Sequence, residues 1–201
     1  MDKSKDRIRD YVKEKYAGIA TGCTPSCCGP SSSLINIMDL GKSLDYSEED
    51  LLLAPGEANL GLGCGNPIGI AGLNEGETVL DLGSGAGFDA FLAAKKVGVS
   101  GRVIGVDMTT AMVEKARANA RRLNAPNVEF RLGEIENLPV EDNSVDIVIS
   151  NCVINLSPEK TAVFREMLRT LKPGGRICIS DILRSGEIPQ EITDNPAAYT
   201  G

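Results

Sequence analysis

Six cysteines, in a chain that contains no histidine, are the side chains with the clearest potential for chemistry. Three of them, Cys23, Cys27 and Cys28, lie in a stretch rich in Pro, Ser and Gly, and Cys64 stands between two glycines. Without imidazole there is no His-based general acid or base, no Ser-His or Cys-His nucleophile and no His-ligated zinc. The charged N-terminus is not a signal peptide, so we expect reduced thiols, and clustered thiols indicate metal or redox chemistry.

The two remaining cysteines have more ordinary interpretations. Cys178 lies inside an apolar run and is predicted to be a core residue. Cys152 follows the apolar segment 147–149, and taken alone it is also interpreted most simply as a small buried residue. Zinc is a competing interpretation for the other cysteines, although they lack the Cys-x-x-Cys spacing of a zinc knuckle.

A glycine-rich loop is the sharpest motif of the chain. Residues Asp81–Gly87 read Asp-Leu-Gly-Ser-Gly-Ala-Gly, between a predicted strand and a predicted helix. The glycines permit a tight turn and let a ligand approach the backbone closely. A dinucleotide fingerprint would have its third glycine one position later, where Phe88 stands. The loop instead fits methyltransferases, in which the acid at the strand's end, here Asp81, meets the amino-acid part of S-adenosylmethionine.

Two further segments complete the predicted cofactor site. Asp107 ends the second predicted strand, where it can accept both ribose hydroxyls, and Met108 offers a soft apolar surface to adenine. Glu134 and Ile135 follow the third strand, in the position of an adenine-edge loop. Open α/β sheets bind ligands at such carboxyl ends of strands. The predicted cofactor-binding residues are Asp81, Gly83, Ser84, Gly85, Gly87, Asp107, Met108, Glu134, Ile135 and Asn151.

Alternating strand and helix patterns from Thr78 onward predict how these segments are positioned. They indicate a parallel sheet with helices on both faces, an α/β fold of the Rossmann-like type. In this topology the first and fourth strands are neighbours, so Cys152 would lie beside the reactive methyl group. The predicted strands are Val79–Leu82, Arg102–Val106, Val128–Leu132, Val145–Ser150 and Arg176–Ser180. The predicted helices are Phe88–Val97, Thr110–Leu123 and a third that Ser157 caps and Lys172–Gly175 ends.

Residues 1–74 differ in texture and are expected to form an N-terminal cap of helix, loop and cysteine-rich segment. Residues 75–201 are expected to be the S-adenosylmethionine-binding core. The cap begins with an amphipathic helix that has Ile8, Tyr11 and Val12 on its apolar face. A short helix is predicted from Ser47, with Asp50 as its capping-box partner, and Gly61–Gly72 is predicted to be a loop.

Composition excludes several classes of partner. The net charge is −7 and no Lys/Arg run offsets it locally, so nucleic acid is not expected to bind. The longest uncharged stretch, Asn59–Asn74, is Gly-rich and too short to span a bilayer. We therefore expect no membrane segment and a cytoplasmic location.

Four segments together resemble the arsenite S-adenosylmethionine methyltransferases. They are Gly61–Pro67, Asp81–Asp89, Asp107–Thr109 and Ser150–Leu156. The last reads Ser-Asn-Cys-Val-Ile-Asn-Leu and is much more specific than the cofactor loop, which many methyltransferases share. The resemblance extends from about Tyr16 to the end of the chain. It implies that thiolates hold As(III) while the arsenic lone pair attacks the cofactor methyl.

By this resemblance Cys64 and Cys152 are catalytic arsenic ligands, and a further ligand corresponds to Cys27 or Cys28. It also implies arsenite delivered as a thiol conjugate, and a reductant such as thioredoxin or glutathione. The family pattern continues past Gly201 into another arsenic-binding cysteine, the last two strands and a C-terminal region. We therefore expect a truncated sheet, and the turnover of the chain as given is an open point.

Two other function classes stay open at this point. One is a quinone-type small-molecule C- or O-methyltransferase, in which Asp or Glu would have to serve as the base. The other is a non-catalytic thiol module that binds As(III) or zinc.

Overall fold

The computed structural model describes residues 3–22, 37–53, 58–183, 185–186, 195 and 197. This part of the chain is built on a five-stranded parallel sheet. The strand order is β3-β2-β1-β4-β5, so the order reverses between β1 and β4 and opens a crevice at their carboxyl ends. The strands are β1 (Thr78–Leu82), β2 (Arg102–Asp107), β3 (Val128–Leu132), β4 (Val145–Asn151) and β5 (Leu171–Ser180).

Helices cover both faces of this sheet. Alternate strand residues enter two different cores: Val79 packs with the helices at 88–97 and 110–123, whereas Leu80 packs with the helix at 160–170. Because both faces are covered, consecutive residues 147–149 of β4 are all fully buried, which confirms the predicted α/β fold. The helices of the described residues are α1 (Lys3–Thr21), α2 (Ile37–Ser43), α3 (Glu48–Leu53), α4 (Pro67–Ile70), α5 (Phe88–Val97), α6 (Thr110–Leu123) and α7 (Lys160–Thr170).

Two details predicted for the third helix of the core were wrong. The helix, α7, begins at Lys160 and not directly after Ser157. It ends at Thr170, whose hydroxyl bonds back to the carbonyl groups of the last turn. The predicted terminator Lys172–Gly175 lies inside β5, where pairing with β4 is irregular. Pro173 has no N–H to give to a regular ladder, which fits its place at this irregularity.

The N-terminal helices behave largely as their sequence patterns predict. Ile8 and Val12 of α1 are buried, whereas Tyr11 is 37% exposed and was wrongly placed on the apolar face. The capping box before α3 is confirmed, since Ser47 Oγ accepts the N–H of Asp50 at 3.0 Å. The predicted loop 61–72 contains the short helix α4. In the described ranges no helix combines the length and apolar character that a bilayer crossing needs.

Candidate functional site

A cleft opens at the carboxyl ends of β1, β2 and β4. Asp81, Asp107 and Asn151 line it from the ends of these three strands. The N-terminal helices and the segment before α4 form the opposite wall, so described residues of the N-terminal part contribute directly to the cleft. The residues of that wall are Arg9, Val12, Tyr16, Leu40, Gly41, Leu44, Tyr46 and Ala58–Gly63.

The loop between β1 and α5 is folded tightly against its neighbours. Gly83 has φ +64°, and Val153 occupies the position that a Cβ would take. The N–H of Gly85 donates to Asp107 Oδ2 at 3.0 Å, which ties the loop to the end of β2. The Ser84 hydroxyl lines the cleft and is buried without a hydrogen-bond partner. An unpaired buried polar atom of this kind indicates where a ligand would bind.

Three buried aspartates concentrate negative charge in the cleft. Asp81, Asp89 and Asp107 are 3%, 8% and 9% exposed, and no Lys or Arg in the described parts of the chain pairs with them. Burial raises the pKa of Asp81 well above its ordinary value, and the charges of Asp89 and Asp107 raise it further. A cationic ligand would favour the ionised carboxylates, so the cleft suits a positively charged molecule.

Hydrogen bonds partly offset the desolvation of the other two aspartates. Burial raises the pKa of Asp107, while the N–H groups of Thr109 and Gly85 oppose this shift. Burial likewise raises the pKa of Asp89, against bonds from Tyr46 and Asn151. These hydrogen bonds stabilise the ionised carboxylates of Asp107 and Asp89, and they are present without a ligand.

The far end of the cleft is more apolar. Met108, Met112 and Ile135 line it beyond Asp107, together with the carboxylate of Glu136. Tyr16 reaches this region from α1, and burial followed by the charge of Asp107 raises the pKa of its phenol. Apolar side chains with a few polar groups among them are the usual lining of a small-molecule site, and they suit a heteroaromatic ligand.

Cys64 and Cys152 are brought together although 88 residues separate them. They form a disulfide with a Cα–Cα distance of 5.7 Å, whereas the sequence predicted reduced thiols. The segment Asn59–Asn66 contains Cys64 and places it near the carboxyl end of β4. The Cys64 sulfur therefore lies next to that of Cys152, which directly follows this strand. Cys152 lines the cleft, and Cys64 lies behind it, next to Gly63 and Asn151. Cys23, Cys27 and Cys28 lie outside the described residues.

Cys152 adopts a backbone conformation that glycine would adopt more easily. Its φ is +58°, and its N–H donates to Ser180 O at 2.8 Å. A left-handed residue with a side chain costs about 1–2 kcal/mol relative to the right-handed region. Such strain is common at functional sites, and here it turns the Cys152 side chain away from the strand direction and toward the cleft.

The other predicted residues fall into two groups. Gly83, Ser84, Gly85, Met108 and Ile135 line the cleft, as the prediction placed them. Gly87 instead faces Phe91 and Phe130 in the core, and Glu134 pairs with Lys13 at 2.9 Å outside the cleft lining. Cys178 is buried in the core and donates to Pro67 O at 3.3 Å, as expected of a core thiol.

Polar residues of the cleft that sequence reasoning missed include Arg9, Tyr46, Asp89 and Glu136. Asp89 was available as a charged residue on the buried face of a predicted helix, two positions after the last glycine of the loop. Glu136 was overlooked in favour of Glu134, because a short loop has no periodicity that separates inward from outward residues. Tyr46 precedes Asp89 by 43 positions, and no local sequence pattern indicates that these two side chains form a hydrogen bond.

Comparisons place this fold and cleft among methyltransferases. A family model described as a methyltransferase domain matches residues 73–201, and the chain belongs to this family. The arsenite methyltransferase of Halobacterium salinarum is 48% identical over 212 residues, which cover 100% of this chain and 54% of that protein. The chain thus spans about half the length of the curated relatives it matches.

Two solved structures are similar in fold. An arsenic(III) S-adenosylmethionine methyltransferase from Chlamydomonas reinhardtii superposes with a TM-score of 0.62 and 41% identity, over 79% of this chain and 54% of that chain. A SAM-dependent methyltransferase from Aquifex aeolicus gives a TM-score of 0.56 and 29% identity, over 78% of this chain and 80% of that chain. The predicted Rossmann-like methyltransferase fold and the resemblance to arsenite methyltransferases are confirmed.

Proposed function

We propose that this chain is an S-adenosylmethionine-dependent methyltransferase whose substrate is arsenite bound to the thiols of Cys64 and Cys152. One observation carries the proposal: a cysteine pair stands at the carboxyl end of β4, beside a cleft that holds three buried aspartates with no Lys or Arg partner among the described residues. The names of the relatives at 48% and 41% identity support the same substrate.

The cleft has the donor set that this cofactor needs. Asp81 and Asp89 would offset the positive charges of its sulfonium and ammonium groups, and Ser84 has a free hydroxyl to offer. Asp107 would accept the ribose hydroxyls, while Met108 and Ile135 would contact adenine. When bound, the cofactor supplies an electrophilic methyl group to a soft nucleophile.

Opening of the disulfide must precede substrate binding. Two electrons and two protons convert the Cys64–Cys152 disulfide into two thiols, and a small thiol such as glutathione, or a thioredoxin-like protein, would supply them. Arsenite, As(OH)3, would then condense with the two thiols: two As–S bonds form, and two hydroxyl groups leave arsenic as water with the thiol protons. This need for a reductant makes a thiol partner part of the proposal.

The chain must also position the arsenic for attack on the methyl group. An arsenic lone pair needs no general base, which agrees with a chain that has no histidine. Cys152 borders the cleft and would hold arsenic at its edge, so that attack on the methyl group becomes effectively unimolecular. We assign residues 1–74 as an N-terminal cap, because described residues of this part line the cleft, and we propose that it would bring a third thiol, Cys27 or Cys28, to the arsenic.

The alternatives have less support. A quinone-type C- or O-methyltransferase would need a carboxylate base, yet Asp81, Asp89 and Asp107 are all buried at positions suited to the cofactor. The remaining carboxylate among the described residues of the cleft lining, Glu136, accepts a hydrogen bond from Ser157 and lies 3.5 Å from Arg9. A zinc module would need a ready ligand cluster. The described residues hold no group of three or more Cys, Asp or Glu arranged for a metal ion, and of the four cysteines considered for zinc they include only Cys64.

Sequential titration of the reduced protein tests the proposal. S-adenosylmethionine should bind first by calorimetry, and arsenite should then bind with a stoichiometry of one. Cys64→Ser and Cys152→Ser should each weaken arsenite binding by orders of magnitude, because one donor of a chelating pair is lost. Cys178→Ser is the matched control, since it removes a thiol that lies in the core. Arsenite binding that survives both site substitutions would refute the assignment.

A further inference from the structure

The side chain of Asn151 joins the segment that carries Cys64 to the carboxylate of Asp89. Its Oδ1 accepts the N–H of Cys64 at 3.1 Å. Its Nδ2 lies 2.9 Å from Asp89 Oδ2 and 2.9 Å from Gly65 O. One amide therefore contacts the backbone on both sides of the Cys64 side chain and also a buried acid of the cleft.

Only one orientation of this amide satisfies its partners. The NH₂ group faces acceptors, namely a carboxylate, a carbonyl and the phenol of Tyr46 at 3.1 Å. The oxygen faces the N–H of Cys64. The reversed amide would place its oxygen against Asp89 and its NH₂ against another donor. Aspartate would not substitute for Asn151 either, because two carboxylates would then face each other.

Tyr46 hydrogen-bonds the other oxygen of the Asp89 carboxylate. Its hydroxyl donates to Asp89 Oδ1 at 2.6 Å, and its ring packs edge-on against Phe88 with centroids 5.1 Å apart. Tyr46 is 5% exposed, and burial raises the pKa of its phenol, so it remains a neutral donor. Asp89 thus receives one bond from Tyr46 and one from Asn151, which fixes the three groups relative to each other.

The segment around Cys64 also packs directly on this amide. A Cβ at Gly63 would come within 2.8 Å of Asn151 Nδ2, so the close approach requires glycine there. Asn151 is the last residue of β4 and precedes Cys152 in the chain. It therefore contacts one cysteine of the pair through its side chain and the other through its peptide bond.

We propose that Asn151, supported by Tyr46 and Asp89, is the positioning residue that sets Cys64 opposite Cys152 and fixes this thiol pair relative to the cofactor cleft. The part of this role that concerns arsenic rests on the proposed function. The part that concerns the two thiols does not, because it depends only on how readily Cys64 and Cys152, once reduced, form a disulfide with each other.

Equilibration with reduced and oxidised glutathione measures this tendency as the effective concentration of one thiol of the Cys64–Cys152 pair at the other. Mass mapping of the linked peptides restricts the measurement to this disulfide. Asn151→Ala should lower the effective concentration by about tenfold or more, the equivalent of losing one buried hydrogen-bonded anchor. Tyr46→Phe keeps the ring and removes only the hydroxyl, so it should give a smaller fall, about threefold.

Asn127→Ala is the matched control. Asn127 is also half-buried and donates to two backbone carbonyls, those of Ala94 and Gly98, on α5 and away from the cleft. It should lower the melting temperature as Asn151→Ala does, yet leave the effective concentration unchanged. An effective concentration in Asn151→Ala equal to that of the control would overturn the positioning role.

Arsenite titration of the same reduced variants gives the second readout. The affinity for arsenite should fall in Asn151→Ala by a factor similar to the fall in effective concentration. In Asn127→Ala it should be unchanged. The glutathione measurement needs no arsenite, so it decides on the positioning role even if the proposed function fails. A reduced effective concentration with unchanged arsenite affinity would overturn the link between Asn151 and arsenic binding.

Discussion

Asp107 Oδ2 accepts the backbone N–H of Gly85 at 3.0 Å, which locks the glycine loop after β1 to the end of β2. Its other oxygen accepts the N–H of Thr109 at 2.8 Å. Asp107 thus builds the cleft before any ligand arrives, and its carboxylate keeps lone pairs for hydroxyl groups of the ligand.

Asp107→Ala should weaken S-adenosylmethionine binding by about 1.5–3 kcal/mol, because charge-assisted hydrogen bonds to the ribose hydroxyls disappear. Calorimetric titration of the reduced protein measures the loss. Asp142→Ala is a suitable control, since Asp142 is an exposed partner of Arg169 outside the cleft. Equal affinity in Asp107→Ala and wild type would mean that the ribose does not bind at the end of β2.

Cys178→Ser should leave arsenite binding intact and reduce stability by about 1–3 kcal/mol, because a hydroxyl replaces a buried thiol in the apolar core. The lower part of this range is expected, since the new hydroxyl can donate to Pro67 O as the thiol does. Urea unfolding of the reduced protein gives the change in stability. A collapse of arsenite affinity without loss of stability would place Cys178 in the site.

Asp81→Asn should stabilise the ligand-free protein at neutral pH while weakening cofactor binding. Burial and two neighbouring acids raise the pKa of Asp81, so between the ordinary and the raised pKa the folded chain holds a proton that the unfolded chain has released. Stability contributed by this group is therefore lost as the pH rises from the ordinary aspartate pKa through the raised one. The Asn variant avoids this loss and should melt about 2–4 °C higher for each kcal/mol gained.

Thermal melts from acid to neutral pH test this expectation. The gap between Asp81→Asn and wild type should widen with rising pH and close in acid, where both side chains are neutral. A gap that is constant with pH would show that the ionisation of Asp81 does not limit stability.

Arg9→Gln should loosen α1 over the cleft. Arg9 pairs with Glu159 at 2.5 Å and lies 3.5 Å from Glu136, and it lines the cleft itself. The Glu159 end of the main pair is 37% exposed and therefore partly screened by solvent, so we expect cofactor affinity to fall only about two- to fivefold, together with faster amide exchange in α1. Arg7→Gln, on the exposed side of the same helix, should change neither. Identical exchange in both variants would exclude this anchoring role of Arg9.

The strands and the cofactor loop could be predicted because their causes are local. Buried parallel strands are continuous apolar runs, and the turn around Gly83 and Gly85 needs residues without a side chain. The positions of Asp81 and Asp107 at strand ends then follow from the alternation of strand and helix. These features require no knowledge of the contacts between distant segments.

The features that escaped prediction depend on long-range contacts or on conditions outside the chain. Tyr46 meets Asp89 across 43 positions, and nothing in the residues around either one indicates the other. Cys64 and Cys152 were both expected in the site, but whether two adjacent sulfur atoms are thiols or a disulfide depends on the redox potential around them. In the loop after β3, only packing decides that Glu136 faces the cleft and Glu134 faces Lys13.

The most direct test of the central claim is the transfer of a labelled methyl group. The reduced protein is incubated with arsenite, a thiol and S-adenosylmethionine carrying an isotopic label in its methyl group, and arsenic species are separated and identified by mass. We predict labelled methylated arsenic with the wild-type chain, and none with Cys64→Ser or Cys152→Ser, while Cys178→Ser retains the product. Cofactor binding without any methylated arsenic, or product that persists in both site variants, would contradict the account.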